Sequence, residues 1–182
     1  MQSPGETNHL VAAAVTNLEQ RRDDSSSGPL VRDDAQRSID VIQTFQRTVN
    51  ALNFYGAQFL PAALPPSSML IAGVEVSVAP DAVARIARAG EQRVGEVFIR
   101  CTIGTTGDAA ENRRAEANGH LATIAHMHAV THIAHLGAPY SPASMVIDVP
   151  RGVVVPGPAN TTRRVRNIED ACRMIAAIWP TV

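Results

Sequence analysis

VGEVFIRCTI at residues 94–103, followed closely by DAAENRRAEANGHLATIAHMHAVTHIAHL at residues 108–136, decides how this chain folds. The first stretch is rich in Val, Ile, Phe and Thr and predicts a strand. The second is rich in Ala, contains no proline, and predicts one long helix. Downstream, MVIDVPRGVVV at residues 145–155 predicts a hairpin over Pro150-Arg151-Gly152, and Asn167 to Ile178 predicts a closing helix. Strand, long helix, hairpin and helix make an α/β (α+β) sandwich, with a mostly antiparallel sheet packed against the long helix.

Working upstream, Ala89-Gly90-Glu91 marks a turn, and residues 81–88 form a connection of no assigned type. Met69 to Val78 predicts a first strand, antiparallel to the second, with Val74, Val76 and Val78 on one face and Glu75 on the other. Before it, a helix capped by Asp33 or Asp34 runs to about Phe59, burying Ile39, Ile42, Phe45, Val49, Leu52 and Phe59. Residues 1–32 read as a peripheral segment: a short helix over His9 to Arg22, then a flexible linker from Asp23 to Pro29. Residues 33–182 are expected to form a single domain.

Composition narrows the chemistry. Hydrophobic residues make up 45% of the chain and aromatic residues 4%, so the core must be aliphatic. A formal net charge of −1 gives no global attraction to nucleic acid or to an anionic membrane. All 16 basic residues are arginine, which rules out a Schiff-base amine, a P-loop lysine and a nuclease lysine. Cys101 and Cys172 are expected to be buried free thiols. No signal sequence or membrane span is legible, so a cytoplasmic location is expected.

Five of the six histidines fall between Gly119 and Gly137. On a helix, His128, His132 and His135 share an arc of roughly 60°. That spacing suits a Zn²⁺ or Ni²⁺ site completed by a carboxylate such as Asp148 or Glu96; it equally suits histidines satisfied inside the core or at an interface. Gly104-Thr105-Thr106-Gly107 precedes the long helix but lacks the length and lysine of a Walker loop, and Asp108 is placed as its N-cap, so a plain turn is expected. Arg163, Arg164 and Arg166 form a basic cluster able to contact the phosphates of a nucleic acid, or simply to face solvent.

Glu75, Glu96 and Asp148 are the carboxylates placed on strands, where neighbours can hold a hard divalent cation such as Mg²⁺. From about Asp33 to Val155, the order of helix, strand pair, long helix and strand resembles the core of the PD-(D/E)XK nuclease superfamily. The resemblance implies Mg²⁺-dependent cleavage, with Glu75 as the first acidic residue, Glu96 as the (D/E) position and Asp148 nearby. The lysine position then falls on Phe98, so the implied active site is degenerate. The tail from Asn167 to Pro180 resembles the ends of bacterial proteins of unknown function.

The expectation is therefore a non-catalytic accessory or interaction protein with an unknown protein partner, self-associating through the His-bearing helix. The alternatives are a nuclease-like protein using Mg²⁺ and a transition-metal-binding protein.

Overall fold

Two Ala-Gly dipeptides shape the first half of the fold. The computed structural model describes residues 4–51, 57–62, 67–104 and 107–179. Its elements are α1 (Pro4–Asp23), α2 (Pro29–Ala51), β1 (Gln58–Pro61), β2 (Ser67–Ile71), β3 (Val74–Val78), β4 (Ala82–Arg88), β5 (Glu91–Arg100), α3 (Asp108–His132), β6 (Ala138–Pro139), β7 (Met145–Asp148), β8 (Val153–Pro156) and α4 (Thr162–Ile178). Ala72 and Gly73 both have positive φ, as do Ala89 and Gly90. Each pair is a two-residue hairpin turn, whose twist matches that of the strands it joins.

The expected strand from Met69 to Val78 is thus two strands, β2 and β3, folded on each other as a separate two-stranded sheet. Residues 82–88, expected as a connection, form β4, and β4 is the antiparallel neighbour of β5. The expected pairing of the Met69–Val78 strand with β5 is corrected accordingly.

The larger sheet has the order β1-β4-β5-β7-β8, with the short β6 also on β5. Its pairs are antiparallel except where β6 and β7 lie parallel to β5. A parallel neighbour needs a long return path, and α3 supplies it between β5 and β7. The Met145–Val155 hairpin forms as expected, with Gly152 taking the left-handed conformation at its turn.

Side chains of β5 alternate between two covers. Val94, Glu96, Phe98 and Arg100 face α3. Val97 and Ile99 pack with Ala84, Met145 and Ile147 against Val41 and Phe45 of α2. The hairpin β2–β3 lies along the flank of α3, where Met69, Ile71 and Val78 enclose Ile168 and Cys172 of α4 and pack against Phe98 of β5 and Ile124 and Met127 of α3.

α2 differs from expectation at both ends. It begins at Pro29, a residue suited to the first helical turn because its missing N–H needs no partner there. Asp33 therefore lies inside the helix, paired with Arg37 at 2.6 Å. Phe59 belongs to β1, and Leu52 and the Val49 side chain lie outside the described residues. The expected linker is a tight turn in which Asp24 accepts hydrogen bonds from Ser26 and Ser27, and α1 packs along α2. Gly107, not Asp108, is the cap residue of α3, and its carbonyl accepts the Ala110 and Glu111 N–H groups. Cys172 is buried as expected, but Cys101 is exposed; both are free thiols.

Candidate functional site

The stripe of α3 that faces the sheet is made largely of small residues, Ala122, Ala125 and Ala129. The same stripe carries Arg114, Asn118 and His128, which meet the polar residues of β5 and β7 beneath. Two buried polar centres result, one near each end of the helix.

The first centre is a relay of three side chains. His128 Nδ1 lies 2.8 Å from both carboxylate oxygens of Glu96, and its Nε2 lies 2.7 Å from Ser67 Oγ at the start of β2. Glu96 and His128 are each only 1% exposed. With the carboxyl ionised and the imidazole neutral, Nδ1–H donates to Glu96 and the Ser67 hydroxyl donates to Nε2. The ring of His132 stacks on that of His128, with centroids 4.2 Å apart.

Burial pushes the Glu96 carboxyl up to about 7, partly opposed by the charge of His132, and burial lowers His128. A carboxyl raised in the folded state contributes stability that is complete below its ordinary value near 4.5 and lost as the pH rises through about 7. The stability of the wild type relative to Glu96→Gln should therefore fall by about 3 kcal/mol across that window. Urea denaturation of both proteins over this range measures it, and a flat difference would show that Glu96 is not titrating so high.

The second centre holds Asp148. Arg114 Nε and Nη2 reach its two oxygens at 2.5 and 2.7 Å, and Asn118 donates to it at 2.9 Å. Arg100 in turn donates to Asn118 Oδ1 at 2.9 Å. Burial acts to raise the Asp148 carboxyl, but the hydrogen bonds from Arg114 and Asn118 outweigh it and hold the group below the usual carboxylate range.

These placements correct the site expectations. Glu75 is exposed on the small hairpin, where it accepts a hydrogen bond from Ser68, and is not on a strand beside β5. Asp148 stands opposite Arg100, four residues along β5 from Glu96, about 13 Å away at strand rise. The three carboxylates therefore share no cleft, and two of them are spent on internal partners.

The three histidines also separate. Both ring nitrogens of His128 are occupied, His132 stacks on it, and His135 is exposed in the turn beyond α3. Among the described residues, no three His, Cys, Asp or Glu side chains are grouped to hold a metal ion. Of the arginine cluster, Arg164 folds over Gly119 of α3, while Arg163 and Arg166 face solvent at the start of α4. The Thr105-Thr106 pair lies outside the described residues. No helix among the described residues is long and apolar enough to cross a membrane.

Ser67, Arg114 and Asn118 were not foreseen. Arg114 and Asn118 did carry a signal: they continue, at helical spacing, the small-residue stripe that leads to His128. Ser67 carried none, because its partner lies 61 residues away. No protein-family model matches the chain, and no match was found among curated proteins or solved structures.

Proposed function

We propose that this protein is a cytoplasmic accessory protein that acts by binding, and that it associates with a second copy of itself through the apolar C-terminal end of α4. One observation carries the reading. Met174, Ile175, Ile178 and Trp179 are 64%, 49%, 74% and 77% exposed, at the C-terminal end of α4. Ile175 and Trp179 continue, at helical spacing, the stripe that buries Ile168 and Cys172 against the β2–β3 hairpin, and Met174 and Ile178 flank it. An apolar stripe that runs on past its cover gains by being covered, and contiguous apolar surface of this kind marks association sites. The inward orientation of His128 favours α4 over α3 as the contact. Internal pairing of Glu96 and Asp148 favours binding over metal-dependent strand cleavage.

Sedimentation velocity over a wide concentration range tests the proposal. Wild type should associate reversibly, and Trp179 emission should shift to the blue as it does so. The double variant Met174→Glu with Ile178→Glu should weaken association at least about 100-fold, since each exposed side chain contributes roughly 1.5–3 kcal/mol when buried. Its melting temperature at low concentration should not change. A wild-type chain that stays monomeric at every concentration would remove the self-association reading.

A further inference from the structure

Ser67, His128 and Glu96 stand in the order nucleophile, base, carboxylate, and we infer that Ser67 is an acyl-accepting nucleophile acting on esters with an apolar acyl chain. The geometry meets the requirements of such a relay at both steps. The hydroxyl lies within hydrogen-bond reach of the base, and the base is oriented through its other nitrogen by a buried carboxylate.

A cleft of about 520 Å³ runs between the β2–β3 hairpin and α3, beside the relay. Met69, Ile71, Met127 and Val130 give it an apolar wall suited to an alkyl chain. Met69 lies two residues along β2 from Ser67, and so on the same side of the strand. His132 joins cleft and relay, since it lines the one and stacks on His128 in the other. Two buried ring nitrogens on these walls, His126 Nδ1 and His132 Nε2, have no hydrogen-bond partner. Buried polar atoms are seldom left unpaired, and the carbonyl oxygen of a bound ester would satisfy a donor there.

The chemistry balances without any co-reactant but water. Ser67 Oγ bonds to the ester carbonyl carbon as its proton passes to His128 Nε2, and Glu96 stabilises the resulting imidazolium. The ester C–O bond then breaks, and the Nε2 proton leaves with the alcohol. Water attacks the acyl-serine, giving its proton to Nε2. The acyl–Oγ bond breaks, the carboxylic acid departs, and Ser67 regains its proton.

Ionised Glu96 and neutral His128 are both favoured by higher pH, so reactivity should rise through about pH 7. The titratable groups facing Glu96 are His128 and His132 of α3. The strands on either side present Val83 of β4 and Ser144, just before β7, and β2 presents the Ser67 hydroxyl.

This site is separate from the α4 face, so the association test and the test below fail independently. The full chain is treated with an alkyl fluorophosphonate, the adduct is mapped by mass spectrometry, and hydrolysis of a p-nitrophenyl alkanoate is followed against pH. The adduct is expected on Ser67, with both rates rising through about pH 7. Ser67→Ala should lose the adduct and at least about 100-fold in hydrolysis. Ser77→Ala, altering an exposed hydroxyl on β3, should change neither. Folded wild type that takes no adduct, takes it at another residue, or hydrolyses ester no faster than Ser67→Ala overturns the inference. If Ser67→Ala fails to fold, the position of the wild-type adduct decides alone.

Discussion

Arg114→Ala is expected to destabilise the fold by about 3–5 kcal/mol, the usual consequence of stranding one partner of a buried ion pair. Asp148 is 1% exposed and Arg114 7%, so water cannot replace the lost guanidinium. The arginine also donates to the carbonyls of Thr102 and Ile103 at 2.6 and 3.0 Å, tying the end of β5 to α3. Removing it leaves a buried carboxylate with Asn118 as its remaining hydrogen-bond donor among the described residues, and two carbonyls without this donor. Arg114→Met combined with Asp148→Leu should cost much less than the sum of the two single changes, because no charge is then left unpaired. Urea denaturation of the three variants makes the comparison. Simple additivity would mean that the pair is not coupled as its geometry requires.

Gly95→Ala should be still harder for the fold to absorb, at about 4 kcal/mol or more, or no soluble protein at all. A Cβ at Gly95 would lie 2.2 Å from the carbonyl carbon of Ala143 and 2.3 Å from the Ser144 nitrogen. Both are backbone atoms, and β5 cannot shift away because β4 and β7 hold it on either side. Gly119→Ala provides the contrast. There the nearest atoms belong to the guanidinium of Arg164, which can swing aside, and alanine favours a helix by roughly 1 kcal/mol over glycine. Near-neutral behaviour at Gly119 beside collapse at Gly95 is the expected pattern by thermal melting. Equal effects at the two positions would contradict it.

What could be read from the residues was what is encoded locally. The long helix and the Met145–Val155 hairpin announce themselves by composition and by a turn within a few residues. Ala89-Gly90 was readable as a turn because polar residues follow it. The same dipeptide at Ala72-Gly73 sits inside an apolar run, which reads as one strand and hides the turn. Read as one strand, that run gives β5 the wrong neighbour, since strand pairing is set by packing between segments distant in sequence.

The candidate site followed the same division. Glu96, His128 and Asp148 could each be singled out as chemically notable, yet their partners could not be read. The contacts that define them span 32, 34 and 61 residues. Periodicity placed His128 with His132 and His135, but the helix ends at His132, and the next turn carries His135 to the surface.

The parallel pairing of β5 with β7 also imposes an order on folding. β4 and β5 can meet across two residues, whereas β5 and β7 can meet only after the chain has travelled the length of α3. The entropy of closing loops makes the first event early and the second late. Until that crossover closes, Asp148 on β7 stays hydrated and apart from the sheet on which α3 is seated. The Asp148 centre beneath α3 therefore acts as a latch: it draws no collapse on its own, and it fastens the helix only once both strands are in register.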